Sequence, residues 1–311
     1  MSRLLTVFGA TGQQGGSLIN YVLSNSELSK IYRLRGITRD IFKPASVALK
    51  KRGVEVIQAN QNEPSTLAAA VEGSYAVFAV TNYWEQASAA VEIAQGKAMA
   101  DASVAVGVTL LIWSSLPSVT EMSKGAVTFV EHFDSKAAVE TYIRGLPIIK
   151  AFFMAGWYMQ NHIHFMRPKP RDDGSFVLAQ TWGPAARVPM LDITDTGKFL
   201  APILLDPAKY DGKAFTCATD FYTPLELVDG WTKVTGKKVL YEQSGPAEAN
   251  KNLTAEMQHK LMKKLADSSY FGPTGTADLK WTLAQIKEAP TPWVEFLRAN
   301  EPWFSDVKSS A

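Results

Sequence analysis

Short apolar runs recur along the first half of the chain, separated by longer stretches that mix apolar and polar positions. The runs Leu4 to Phe8, Ile31 to Ile37, Val54 to Gln58, Tyr75 to Val80, Thr109 to Trp113 and Pro147 to Phe153 read as strands. Between them, Ser17 to Leu23, Pro44 to Lys51, Ser65 to Val71, an alanine-rich stretch from about Trp84 to Val106, and Val130 to Arg144 read as helices. Strands that are apolar throughout, rather than alternating, are buried on both faces, and the intervening helices supply the covering layers. The expected fold is α/β, a Rossmann-type doubly wound parallel sheet of six such units with right-handed crossovers. Its ligand should lie beyond the carboxyl ends of the strands.

The pattern changes at Gly156. Aromatics, prolines and turn residues become frequent, including the hairpin-type turn Arg171-Asp172-Asp173-Gly174. Helices are expected at Pro224 to Thr235 and Thr254 to Asp267, and short strands at Ala214 to Ala218 and Lys238 to Tyr241. Residues 1–156 therefore read as the nucleotide-binding domain and 157–311 as a smaller α+β lobe. A segment near 186–221, Val188 to Leu205 in particular, is expected to return to the main domain. The tail Asp306 to Ala311 is expected to fray.

The first strand runs into Gly9-Ala10-Thr11-Gly12-Gln13-Gln14-Gly15-Gly16 and then into a helix. Glycines permit a tight turn and a close approach of backbone to ligand. The helix behind them offers unpaired N–H groups and the positive end of its dipole to a pyrophosphate. A glycine triplet alone is weak; its place between strand and helix predicts a dinucleotide. The second strand ends in Thr38-Arg39-Asp40, with Lys43 close behind. An NAD site usually has a carboxylate here for the ribose hydroxyls, whereas Arg39 can grip a 2′-phosphate at two points and Lys43 adds charge. NADP(H) is the expected cofactor, against the plainer reading of a solvated Arg39–Asp40 pair.

Composition narrows the rest. Of 311 residues, 46% are hydrophobic, enough for a large core. Basic and acidic residues number 32 and 30, a net charge of +2, which gives no electrostatic case for nucleic acid or an anionic membrane. A single cysteine, Cys217, excludes an internal disulfide and reads as a buried hydrophobe. No signal peptide or membrane-length apolar stretch is evident, so a cytoplasmic protein is expected, with a nuclear location open if it is regulatory. His162 and His164 are too few, without acidic company, to predict a metal.

Beyond these features the chain resembles the NmrA-like family of atypical short-chain dehydrogenase/reductase proteins, close to its NADPH-sensor branch. The marks are the glycine turn, Thr38-Arg39, Thr81-Asn82-Tyr83-Trp84-Glu85, Gln95-Gly96-Lys97 and His132-Phe133-Asp134-Ser135-Lys136. The resemblance is strongest to about residue 160. It implies that Gly9, Ala10, Thr11, Gly12, Gln13, Gln14 and Gly15 form the pyrophosphate turn, and that Arg39 and Lys43 hold the 2′-phosphate. Gln61 would lie near the adenine, with Thr81, Asn82 and Tyr83 along the ribose and pyrophosphate. Lys97 and Lys136 would reach the nicotinamide half, and Gly156, Trp157, Tyr158 and Met159 would close over its ring. The resemblance also implies two kinds of partner: a small-molecule substrate for a reductase, or a regulatory protein for a non-catalytic sensor.

Members of the wider superfamily pair a catalytic tyrosine with a lysine four residues later, on one helix face. Here His132 stands in the tyrosine place and Lys136 in the lysine place. Ser114 and Ser115 end the fifth strand, where the catalytic serine would stand. His132 is expected either to relay a proton, since imidazole titrates near neutrality, or merely to pack. The aromatic, methionine-rich run Ala151 to Met166 suggests an apolar substrate pocket, with Thr181-Trp182-Gly183-Pro184 as a far wall. That composition tips the reading toward an NADPH-dependent oxidoreductase acting on a small, mostly apolar carbonyl or imine. The alternative is an NADP(H) redox sensor or transcriptional regulator.

Overall fold

The computed structural model describes residues 2–244 and 270–304. The chain opens with β1 (Arg3–Val7), α1 (Gln13–Ser24), a single-turn α2 (Leu28–Ile31), β2 (Tyr32–Thr38), α3 (Pro44–Lys51) and β3 (Glu55–Gln58). It continues through α4 (Leu67–Val71), β4 (Ala76–Ala79), α5 (Ala89–Ala105), β5 (Leu110–Ser115), α6 (Val119–Met122), α7 (Glu131–Arg144) and β6 (Ile149–Ala155). Further on come β7 (Trp157–Tyr158), β8 (Lys169–Pro170), β9 (Phe176–Gln180), β10 (Val188–Leu191), α8 (Thr196–Leu205) and β11 (Lys213–Cys217). Last are β12 (Asp220–Tyr222), α9 (Pro224–Thr235), β13 (Val239–Gln243), α10 (Gly275–Leu283) and α11 (Trp293–Ala299).

The main sheet has seven strands in the order β11-β6-β5-β4-β1-β2-β3, and every pairing is parallel. Order reverses between β1 and β4, which opens the crevice expected of a doubly wound sheet. The apolar runs have the predicted cause: all six residues of β5 are buried, with one apolar core on each face of the sheet. The Ala214 to Ala218 run, inside the 186–221 segment expected to return to the main domain, is β11 and extends the sheet parallel to β6. Six units thus become seven strands.

The long helix expected from Trp84 is interrupted. Tyr83–Glu85 form a 3₁₀ turn, Ala87 takes a left-handed φ of 47°, and α5 starts only where the Ser88 side chain accepts from the Val91 N–H. A serine cap inside an alanine-rich run marks that restart. In the second lobe, β10 joins β7 and β12 rather than the main sheet, while β13 and β8 flank β9. The Arg171–Gly174 turn links β8 to β9, with Gly174 at φ 81°. Helix α9 carries a capping box, Thr223 with Glu226, followed by Pro224 and closed by Gly236. The helix expected at 254–267 and the tail 306–311 lie outside the described residues.

The lobe's own core is a cluster of aromatic side chains that includes Trp231, Trp293 and Phe296. His162 is buried beside it, its ring 4.9 Å from that of Trp293, and neither ring nitrogen has a hydrogen-bond partner. Burial pulls its pKa from 6.5 to about 3. His162 therefore stays neutral in the fold and charges only when unfolded, so stability is lost as pH falls below 6.5 toward 3. For one excluded histidine the loss at pH 5 is about 2 kcal/mol. The stability gap between His162→Phe and the parent should shift in the variant's favour by that amount between pH 7 and pH 5, measured by chemical denaturation. A constant gap would mean that the ring is protonated in the fold.

Candidate active site

One cleft of about 880 Å³ runs along the carboxyl ends of the sheet. At one end lies the turn after β1. Gly9 holds φ 62°, and the Gly12 N–H donates to the Gly9 carbonyl at 2.9 Å. No side chain caps α1, and its first internal bond runs from the Gly16 N–H to the Gly12 carbonyl. The N–H groups of the first turn therefore open onto the cleft, the arrangement a phosphate group fits. Gly9, Thr11, Gly12, Gln13, Gln14 and Gly15 all line it. Ala10 does not: its side chain is buried behind the turn against Gly36.

Arg39, Asp40 and Lys43 lie at the far rim, together with Gln61, whose amide donates to the Val80 carbonyl at 2.9 Å. The Arg39 guanidinium is ion-paired with Glu85, from the turn after β4. Asp40 is occupied locally, accepting from the Phe42 N–H at 2.8 Å. Asn82 and Tyr83 line the middle, and the Tyr83 hydroxyl donates to Glu131 at 2.9 Å. Partial burial, reinforced by that carboxylate, pushes the Tyr83 phenol up to about 12.

The chemistry-bearing end is built on α7. Lys136 is buried, and its Nζ lies 3.0 Å from a Glu92 carboxylate oxygen and 2.9 Å from the Thr81 hydroxyl. Glu92 is 2% exposed and also accepts from Thr81 at 2.6 Å and from Ser135. Desolvation lowers the Lys136 pKa, and Glu92 opposes that shift by favouring the charged ammonium. Sequence reasoning missed Glu92. Its signal was faint: one acidic residue in the first turn of an otherwise apolar Ala89-Ala90-Val91-Glu92-Ile93-Ala94.

Ser114 and Ser115 are buried at the end of β5 and border the same cleft. His132 lies one helical turn before Lys136, its ring 4.9 Å from Trp84, 5.0 Å from Phe133 and 5.7 Å from Tyr83. Desolvation pulls its pKa to about 4, so at pH 7 the ring is neutral and loses the protonated fraction that its ordinary pKa of 6.5 would leave. Gly156, Trp157 and Tyr158 close the cleft from the lobe side. The Tyr158 hydroxyl accepts from the Gln14 amide at 2.5 Å, and burial raises its pKa, so the phenol keeps its proton.

Besides Ala10, three expected positions fall elsewhere. Lys97 lies over the Tyr142 ring, 4.9 Å from its centre; it is five residues beyond Glu92 and so on another side of α5, where Gln95 reaches the cleft instead. Met159 is fully buried in the lobe core. Trp182 is also in that core, packed edge-to-face on Trp157 at 5.2 Å, so the 181–184 segment backs the wall rather than forming it. Cys217 is buried on β11, and burial raises its thiol pKa. Among the described residues no three His, Cys, Asp or Glu side chains converge as a metal site, and no helix is long and apolar enough to cross a membrane.

A family model for NmrA-like proteins matches residues 1–297. The chain belongs to the NmrA-like family. An NmrA-like family domain-containing oxidoreductase of Aspergillus campestris, cpsB, is 31% identical, covering 97% of this chain and 96% of that protein. An NmrA-like family domain-containing protein of Dictyostelium discoideum is 29% identical over 84% of this chain and 87% of its own. Among solved structures, NmrA, a negative transcriptional regulator in complex with NADP, matches with a TM-score of 0.76 at 21% identity, covering 96% of this chain and 94% of that one. Citrobacter sp. triphenylmethane reductase complexed with NADP(H) matches with a TM-score of 0.74 at 19% identity, over 96% and 99%. At such identities the structural likeness is one of fold. The family thus spans relatives named as oxidoreductases and a regulator, on one architecture.

Proposed function

We propose that this NmrA-like protein binds NADP(H) in the cleft and reduces a small, mostly apolar carbonyl or imine compound. The observation that carries the reading is the buried Lys136–Glu92 pair, set in the same cleft that begins at the uncapped N-terminus of α1. A buried, held ammonium is costly to keep, and such groups concentrate at working sites. NADP(H) is also the dinucleotide in the triphenylmethane reductase structure, and NADP occupies one structure of NmrA.

In this reading the first turn of α1 binds the pyrophosphate and Arg39 and Lys43 bind the 2′-phosphate. Bound NADPH supplies the hydride. Lys136 holds the nicotinamide ribose, with Glu92 and Thr81 fixing its direction. Ser114 or Ser115 orients the substrate's polar atom. The neutral His132 serves as aromatic wall, and the Tyr158 phenol, already accepting from Gln14, has its own proton to donate. NADPH consumption across ketones, aldehydes and cyclic imines tests the activity. No turnover of any of them by cofactor-bound protein would remove it.

Arg39→Ala should erase most of the preference for NADPH over NADH, a loss of about 1–3 kcal/mol for a charge-assisted contact. Equal affinity of the parent protein for both cofactors would overturn the 2′-phosphate assignment.

A second reading has its own support. Trp84 is 65% and Phe165 74% exposed, and both stand at the mouth of the cleft. Exposed apolar groups beside a cofactor cleft suit a non-catalytic NADP(H) sensor read by a regulatory protein. That reading expects hydrogen exchange at 82–85 and 154–160 to differ between NADPH and NADP⁺. Identical exchange together with turnover would remove it.

A further inference from the structure

Arg39 is already engaged. Its guanidinium meets the carboxylate of Glu85, which comes from the turn after β4 and not from Arg39's own loop. Both side chains line the cleft, 58% and 38% exposed. The carboxylate is thus an internal anion on the guanidinium that the NADP(H) reading gives to a 2′-phosphate. Resting on that reading, we infer that Glu85 is a specificity-determining residue, a resident competitor that yields Arg39 to a 2′-phosphate but not to a 2′-hydroxyl.

Charge decides the exchange. A phosphate monoester brings up to two negative charges and three acceptor oxygens, so it replaces one carboxylate on a guanidinium favourably. A ribose hydroxyl brings no charge, and with NAD(H) the Arg39–Glu85 pair stays closed. Exposed pairs shift an equilibrium by only about two- to five-fold, so the competitor tunes affinity without blocking it.

Glu85 is also tied to the other end of the site. It shares its turn with Tyr83 and with Trp84, whose ring lies 4.9 Å from His132. Two residues on, Ala87 holds a left-handed φ of 47°, a conformation that L side chains rarely adopt. Freeing Glu85 removes one tie on this turn, which the Tyr83–Glu131 hydrogen bond still anchors, and so links the 2′-phosphate to the aromatic wall where the substrate would bind.

Titration of the full-length parent, Glu85→Gln and Glu85→Ala with NADP⁺ and NAD⁺ tests this, by calorimetry and tryptophan emission. Both variants should bind NADP⁺ about two- to five-fold tighter and NAD⁺ unchanged, and the gain should vanish on an Arg39→Ala background. NADP⁺ should change emission where saturating NAD⁺ does not, and Trp84→Phe should remove that difference. Tightening without the emission change would confine the effect to Arg39 and overturn the relay. A parent that prefers NADP⁺, with variants that bind it no tighter, would sink the role of Glu85 alone. A parent with no preference for NADP⁺ would sink the reading beneath it as well.

Discussion

Lys136→Ala is expected to lower turnover by at least about 100-fold and to destabilise the fold by about 3–5 kcal/mol. The two losses have different causes. In the proposed reading turnover falls because the ammonium assigned to the nicotinamide ribose is gone. Stability falls because Glu92, 2% exposed, keeps its hydrogen bonds from Thr81 and Ser135 but loses the Lys136 charge that compensates its own. Removing one partner of a buried pair costs far more than removing both. Lys136→Met combined with Glu92→Gln should therefore recover most of the thermal stability of the parent and none of its turnover. Steady-state rates and denaturant midpoints on the three proteins separate the effects. A single variant as stable as the parent would mean that Glu92 is solvated or protonated; one as fast would remove Lys136 from the reaction.

That pair also shows what the chain discloses in one dimension and what it withholds. The lysine's place was legible through the resemblance, which puts a lysine on the helix after the fifth strand; the four-residue spacing adds only that His132 and Lys136 share a face. The sheet was legible for a related reason: strands buried on two faces, such as β5, must be apolar throughout. Glu92 was not legible, since its burial depends on Thr81, Ser135 and Lys136 arriving from elements distant in sequence. The His132 charge state was misleading for the same reason. Its type and position suggest a neutral-pH acid, yet Trp84, Tyr83 and Phe133 desolvate it. The return of 186–221 to the main domain was legible, but the pairing of β11 with β6 was not, because an apolar run states that it is buried but not beside what. Lys97 went astray through helical phase, five positions being too many for the face that Glu92 and Gln95 share.

Gly15→Ala should abolish dinucleotide binding, with at least a 100-fold loss of affinity on the order expected when a phosphate cradle is displaced. The sequence motif alone would direct attention to Gly12, in the middle of the turn. The geometry moves the steric demand to Gly15. A Cβ there would lie 2.4 Å from the Gly9 carbonyl oxygen, 2.7 Å from the Gly9 carbonyl carbon and 2.8 Å from the Phe8 carbonyl oxygen. All three are backbone atoms, so nothing can rotate away and the turn itself must open. A Cβ on Gly12 would meet only the Gly9 carbonyl oxygen, at 3.2 Å, which a shift of a few tenths of an ångström relieves. Both glycines face the same left-handed Gly9, at φ 62°, so the difference lies in how closely α1 approaches the β1 end at each position. Forced overpacking of this kind also costs about 1–3 kcal/mol of stability. NADP⁺ titration of Gly15→Ala and Gly12→Ala, with denaturation to confirm that both are folded, should give a total loss in the first and at most about a ten-fold loss in the second. If Gly15→Ala binds as tightly as the parent, the first turn of α1 is not where the pyrophosphate sits.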